Sequence, residues 1–226
     1  MSRLIFCILS MLLLLPLSSP AAPAITCHCF TDRSYDPSRP ALADPYFLAT
    51  SQNSFFAALF SVDKKKIVMK KQTGSSAEDL WVAYWVASKS GSSAEDLLTA
   101  RGKKDSWKDV IAPLGLPAKS LGERFAAEVA AGASSSSLAR AIVDGVLVRH
   151  RLIGEQELTV FRHEWGTNQE VIMAVLIAAR TRRPPVQVYQ EVKKGTKSWG
   201  AFLGEAKLQP AGIQAEFATL LKQPHR

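Results

Sequence analysis

The stretch Ser75–Ser90, SSAEDLWVAYWVASKS, decides the fold that this sequence predicts. Ser75 and Glu78 have the spacing of a capping box, in which two side chains satisfy free backbone amides at a helix start. The apolar residues that follow recur at the spacing of one helix face: Leu80, Trp81, Tyr84 and Trp85. Gly91 then marks a helix end. The stretch therefore predicts an amphipathic helix whose aromatic face is buried.

Similar helix punctuation continues along the chain, and sustained alternation of apolar and polar residues, which is typical of strands, is missing from the sequence. Asp44 and Asp63 are predicted N-caps, and Ser92 with Glu95 repeats the capping box. Further helices are predicted from Asp44 to Phe60, after Asp63, from Ser92 to about Gly102, after Ser106, and over Leu121–Ala131, Leu138–Arg151, Glu155–Glu164, Asn168–Arg180, Val186–Lys194, Trp199–Lys207 and Pro210–Lys222. The expected fold class is all-α, a multi-helix bundle.

Two segments indicate that the chain carries one helical unit twice. DSWKDVIAPLGL (residues 105–116) and KSWGAFLGEAKL (residues 197–208) place Ser-Trp pairs 92 residues apart. When the sequence is aligned with itself at an offset of 92 residues and without a gap, predicted helix caps fall on helix caps, helix breakers on helix breakers and apolar residues on apolar residues. The pattern predicts an internal duplication, with similar halves at residues 44–132 and 138–226 and a Ser-rich linker at 133–137. Trp107 and Trp199 are predicted to be buried at equivalent places, behind the N-caps Ser106 and Ser198.

The N-terminus has the features of a secretory signal peptide. Arg3 supplies a positive charge, Leu4–Leu15 is apolar, and Ala22 and Ala24 occupy the small-residue positions of a cleavage site. The apolar run is shorter than the roughly 20 residues that span a bilayer. We expect residues 1–24 to be removed, leaving a secreted or periplasmic protein without a transmembrane span. Residues 25–43 then form an extended, Cys-containing arm.

The charge is basic, with 28 Lys and Arg against 20 Asp and Glu and a formal net charge of +8. A basic exported protein can meet anionic lipid or cell-wall polymer, whereas nucleic acid is not expected outside the cell. The densest run of cations is a candidate anion-binding site: Lys64, Lys65, Lys66, Lys70 and Lys71. Docking on anionic lipid or wall polymer is therefore one alternative function.

Cys27, His28 and Cys29 form the one concentration of reactive side chains in this sequence. Cys27 and Cys29 can form a small, strained disulfide. With His28 they can instead hold copper(I) or zinc, since thiolate and imidazole suit both ions. A thiol pair for redox chemistry or for bonding to a partner is the third interpretation. These three remain open, and metal binding or thiol redox chemistry is a second alternative function.

No recognised catalytic motif occurs: there is no nucleophile elbow, phosphate-binding loop or zinc-protease pair. Carboxylates such as Asp63 and Asp96 lie at predicted helix starts, where capping accounts for them. The sequence favours a non-catalytic binding or structural-interaction module of the cell envelope without a cofactor. Its expected partner is another envelope protein or an envelope polymer, and the residues favour binding over enzymatic activity.

Overall fold

The computed structural model describes residues 40–222, and in this range the chain is helical with no strand. The α-helices of this range are α1 (Asp44–Phe60), α2 (Lys64–Gln72), α3 (Ala77–Ser90), α4 (Ala94–Arg101), α5 (Trp107–Ile111), α6 (Ala118–Leu121), α7 (Glu123–Ala130), α8 (Ser135–Arg149), α9 (Glu155–His163), α10 (Asn168–Thr181), α11 (Pro185–Lys193), α12 (Trp199–Glu205) and α13 (Ile213–Lys222). Short 3-10 turns cover Pro40–Ala43, Ala112–Leu114 and Pro210–Gly212. The predicted all-α class is confirmed for the described residues.

Three of the predicted helix starts have the expected capping contacts. The side chain of Asp63 accepts a hydrogen bond from the amide of Lys65 at 2.8 Å and begins α2. Ser106 and Ser198 cap the two Ser-Trp helices, α5 and α12, with acceptor distances of 3.2 and 3.0 Å. The N-caps of both Ser-Trp segments are therefore confirmed.

The two predicted capping boxes were wrong by one residue. The cap of α3 is Ser76, which accepts from the amide of Asp79 at 2.9 Å. Ser75 instead belongs to the preceding turn, because its amide donates to the carbonyl of Lys70. Likewise Ser93, rather than Ser92, caps α4. The later start places two acidic residues, rather than one, in the first turn of each helix, where the helix dipole favours negative charge.

Asp44 does not cap its own helix, contrary to the prediction. The N-cap of α1 is Ala43, which offers no side-chain oxygen. The carboxylate of Asp44 reaches the start of α12, where it accepts from the amides of Trp199 at 3.0 Å and Gly200 at 2.8 Å. The end of the predicted arm is not extended either, since residues 40–43 form a 3-10 turn packed against α12. The rest of the predicted arm and the predicted signal peptide lie outside the described residues.

A single apolar core runs through the described residues and draws on both predicted halves. Within it α1 packs against α10 and α13, while α3 packs against α8. Trp107 and Trp199 are 1% and 3% exposed, which confirms their predicted burial. Ser134 caps α8, and this helix begins at Ser135, three residues before the predicted start at Leu138. No helix of residues 40–222 has the length and apolar character that a bilayer crossing requires.

Candidate functional site

The middle of α1 carries a polar run that is buried, and this run organises the candidate site. Five consecutive side chains there are polar and almost fully inaccessible to solvent: Thr50, Ser51, Gln52, Asn53 and Ser54. Buried polar groups cost free energy unless they form hydrogen bonds. Their partners on neighbouring helices therefore identify the elements that the polar run connects.

Contacts with α10 satisfy one side of the polar run. The amide of Gln169 donates to Oε1 of Gln52 at 3.0 Å, and the hydroxyl of Ser51 lies 3.4 Å from the sulfur of Met173. Both partners come from the first two turns of α10. The start of α10 is thereby held against the centre of α1.

Contacts with α2 satisfy the other side, and they bury two lysines in part. Lys71 donates through Nζ to Oδ1 of Asn53 at 2.6 Å, and Lys64 donates to the hydroxyl of Ser54 at 3.4 Å. Burial lowers the pKa of Lys71 to about 8, against an opposing effect of the Glu78 carboxylate. Burial also lowers the pKa of Lys64. The Nδ2 amide of Asn53 is buried and has no hydrogen-bond partner among the described residues.

Lys71 lines a cleft of about 290 Å³, which we call the Lys71 cleft. Residues of five helices form its walls: α1, α2, α3, α8 and α10. Its polar and charged lining includes Gln52, Lys71, Glu78, Arg140, Asn168 and Gln169, and Trp81 adds an apolar wall. The cleft therefore joins the buried polar run to the surface.

The charges around the Lys71 cleft favour an anion. Lys71 and Arg140 are the cations of its described lining, against the single carboxylate of Glu78. Residues from the first turns of α3, α8 and α10 also line it. Each of these helix starts carries a partial positive charge from unpaired backbone amides. A carboxylate or another small anion thus has charged and neutral donors on several sides.

Two further carboxylates near these helix starts are already engaged. Glu170 completes a capping box with Thr167, at 2.8 and 3.2 Å. Asp79 accepts from the hydroxyl of Ser135 and from the indole of Trp107, each at 2.7 Å. Because both carboxylates are held by these bonds, they are structural acids that position the starts of α3, α8 and α10.

The five lysines of the predicted anion site occupy three different environments. Lys65 and Lys66 are exposed to solvent. Lys70 pairs with Glu95 at 2.8 Å, which raises the pKa of the lysine. Lys64 and Lys71 turn inward to α1, as described above. Docking of these lysines on lipid or wall polymer stays a prediction, and Lys71 belongs to a different kind of site, an internal cleft.

The candidate metal ligands Cys27, His28 and Cys29 lie outside the described residues, so their disulfide, metal and thiol interpretations stay predictions. Within residues 40–222 no three His, Cys, Asp or Glu side chains are grouped closely enough to hold a metal ion.

A second surface feature is an exposed tryptophan, Trp165, in the turn between α9 and α10. Its side chain is 88% exposed, and its backbone has the left-handed φ of 65°. The turn around it is fixed, since Arg162 donates to the carbonyl of Gly166 at 2.7 Å and Tyr189 donates to that of Glu164 at 2.8 Å. A large apolar ring is therefore held in solvent by an ordered turn.

The Lys71 cleft was not predicted from the sequence. The available signal was the run TSQNS inside the predicted helix Asp44–Phe60, because five adjacent polar residues cannot all face solvent on one helix.

Comparisons of the chain with protein-family models, with curated proteins and with solved structures found no match.

Proposed function

We propose that this protein is an exported, non-catalytic binding module of the cell envelope that holds a small organic acid in the Lys71 cleft. The proposed export rests on the charge, apolar run and cleavage-site residues of the first 24 positions. The proposed binding rests on the geometry of the cleft.

One observation carries the binding proposal: Lys71 is a partly buried amine whose one hydrogen bond among the described residues runs to a neutral amide, that of Asn53. Withdrawing an ammonium group from water costs free energy, and an amide oxygen offsets this cost less than a carboxylate does. A carboxylate in the cleft would add to the negative charge of Glu78 and could bond directly to the amine. Arg140, on the wall formed by α8, can bind a second carboxylate through its planar guanidinium group.

The dimensions and lining of the cleft suit a small ligand. About 290 Å³ is close to the lower end of the range for small-molecule sites, roughly 300–1,000 Å³. The side-chain amides of Gln52, Asn168 and Gln169 offer neutral donors and acceptors, and Trp81 offers an apolar wall. A dicarboxylic acid of a few carbons would match the two cations and these donors.

We further propose that the two halves arose by duplication and that the cleft lies between them. The helix starts support this: α8, α9, α10 and α11 begin 91 residues after α1, α2, α3 and α4, and α12 begins 92 residues after α5. The packing is reciprocal as well, with α1 on α10 and α3 on α8. Gln52 and Lys71 come from the first half, and Arg140 and Gln169 from the second.

Calorimetric titration of the purified protein with acetate, succinate and citrate tests the binding proposal. Succinate is expected to bind at one site, more tightly than acetate. K71Q and R140Q should each weaken binding by about tenfold, because each removes a charged partner of the ligand. The matched control is K103Q, which removes an exposed lysine outside the cleft and should bind like the wild type. Absence of binding by all three acids would refute the proposal.

Trp165 supports a second candidate function, docking on a protein partner in the envelope. Exposed tryptophans that an ordered backbone holds in place are frequent anchors of protein interfaces. In this case W165A should abolish co-purification of a partner from envelope extracts and leave the unfolding temperature unchanged. V160A, which alters another exposed apolar residue of the described chain, is the control. Equal co-purification by W165A and wild type would contradict this role.

A further inference from the structure

A second pocket lies where the C-terminal ends of α1, α3 and α8 meet, and we call it the Trp85 pocket. Its volume is about 400 Å³. The lining residues on which its chemistry depends are Phe60, Tyr84, Trp85, Lys89, Val146 and Arg149. None of its described lining residues also lines the Lys71 cleft. A ligand of the Trp85 pocket would therefore contact none of the described residues that line the Lys71 cleft.

Two cations lie over one indole ring in this pocket. Nζ of Lys89 lies 4.6 Å from the centroid of the Trp85 ring, and Cζ of Arg149 lies 5.6 Å from it. The ring itself is fixed, because its Nε1 donates to the carbonyl of Leu121 at 2.9 Å. The attraction between each cation and the ring holds two like charges beside the same aromatic surface.

Neither cation has an ion-pair partner among the described residues. Burial lowers the pKa of Lys89, and the positive charge of Arg149 lowers it further. Two carboxylates line the adjoining cavity together with Arg149, those of Glu123 and Glu155, and Glu155 is paired with Arg124. The pair thus has an excess of positive charge.

The chain contains a contrasting pair that shows how two cations over one ring are otherwise neutralised. Lys197 and Arg183 lie 4.9 and 5.6 Å from the centroid of the Phe202 ring. Each of them has a carboxylate: Lys197 pairs with Glu205 at 2.5 Å, and Arg183 pairs with Glu191 at 3.3 Å. The Trp85 pair lacks such carboxylates among the described residues; Lys89 is partly buried and Arg149 is exposed, so both can be reached by an anion from solvent.

The helix ends around the pocket do not supply a full counter-charge. Lys89 and Arg149 each lie in the last turn of a helix, where the dipole favours a cation. The carbonyls of Ala87 and Val146 at these ends, however, already accept the amides of Gly91 and His150. Three helix ends amount together to roughly one and a half negative charges, which is less than the two positive charges of the pair.

We infer that the Trp85 pocket binds an organic anion with a flat apolar body, such as an aromatic carboxylate or sulfonate. The anionic group would lie between Lys89 and Arg149 and provide the counter-charge that Glu205 and Glu191 provide at Phe202. The apolar body would contact Phe60, Tyr84 and Val146, since aromatic rings pack favourably against one another in offset or edge-to-face arrangements.

Titration with naphthalene-2-sulfonate tests this inference, with binding followed by calorimetry. The wild type should bind one equivalent, and the neutral analogue 2-naphthalenemethanol should bind at least about tenfold more weakly. K89Q and R149Q should each lower the affinity by about tenfold, because each removes one charged contact. R149K, which keeps the charge, should lose less affinity than R149Q.

The matched control is K193Q. Nζ of Lys193 lies 5.7 Å from the centroid of the Tyr189 ring, and among the described residues no second cation lies over that ring. K193Q should bind naphthalene-2-sulfonate like the wild type. Thermal unfolding of each variant establishes that it is folded. Unchanged binding by K89Q and R149Q, equal binding of the neutral analogue, or no binding by the wild type would overturn the inference.

Discussion

The indole Nε1 of Trp107 donates a hydrogen bond to Oδ1 of Asp79 at 2.7 Å, and this contact ties the first Ser-Trp segment to the start of α3. The hydroxyl of Ser135 donates to the same oxygen at 2.7 Å. Arg101 lies 3.9 Å away from it. Asp79 therefore connects α3, α5 and α8, and two of these three helices line the Lys71 cleft.

This arrangement predicts that Asp79 makes stability sensitive to acid. Burial by itself would raise the pKa of Asp79, but hydrogen bonds from Ser135, Trp107 and Ser76 outweigh it and hold the pKa below its ordinary value. A carboxylate with a lower pKa in the folded state stabilises the protein above its unfolded pKa, near 4. That contribution is lost as the pH falls through the folded pKa.

Urea unfolding of wild type and D79N at pH 5 and at pH 3 measures this effect. The wild type should lose more unfolding free energy between these two values than D79N, which has no carboxylate to protonate. D109N is a control, because Asp109 is an exposed helix-start carboxylate. Parallel losses in wild type and D79N would show that Asp79 is not the sensitive group.

The N-cap of α3 gives a second prediction, since two adjacent serines compete for this role. S76A should lower the unfolding free energy by about 1 kcal/mol, because Ser76 accepts the amide of Asp79. S75A should have a smaller effect, because only the backbone of Ser75 takes part in the preceding turn. Chemical denaturation of both variants distinguishes them. A larger loss in S75A would contradict the capping assignment.

The ion pair of Asp144 and Arg162 gives a third prediction. Both side chains are largely buried, and Arg162 contacts Asp144 at 2.5 Å and Asn168 at 2.7 Å. D144A would leave a buried cation without its carboxylate and should cost about 3–5 kcal/mol of unfolding free energy. Glu95 forms an exposed ion pair with Lys70, and E95A should lower the unfolding free energy by only about 0–1 kcal/mol. Similar losses in the two variants would contradict this ranking.

Local sequence signals predicted the helices well because capping and apolar spacing act over a few residues. Asp63, Ser106 and Ser198 cap as expected. The sequence SSAED failed to specify one start, because its two serines each have an acidic residue three positions later. At α3 the preceding turn takes up Ser75, whose amide donates to the carbonyl of Lys70, and the local pattern SSAED carries no information about that turn.

The candidate site was not predicted, because it depends on contacts between residues distant in the chain. Asp44 has the local pattern of an N-cap, yet its partners Trp199 and Gly200 lie 155 and 156 residues away. Lys71 looked equivalent to the exposed Lys65 in a basic run, and only the position of α2 against α1 buries it. Side-chain burial of this kind follows from tertiary structure rather than from composition.

The partly buried amine of Lys71 predicts a rise of stability in alkaline solution. Its pKa of about 8 in the folded protein lies below the ordinary value of 10.5. Between these two values the unfolded chain binds the proton and the folded chain does not, so this lysine opposes folding less strongly as the pH rises. The wild type should therefore gain unfolding free energy relative to K71Q between pH 8 and pH 10. A constant difference would contradict the burial of a titrating amine.

The affinity for succinate as a function of pH tests the central claim most directly, because it reports on the charge of Lys71 and on the ligand together. Wild-type protein should bind succinate at pH 7 and lose at least about tenfold in affinity by pH 9.5, as Lys71 gives up its proton. K71Q should bind weakly at both values, without this dependence. Wild-type affinity that is equal at the two pH values, or is shared by K71Q, would contradict an anion held by Lys71.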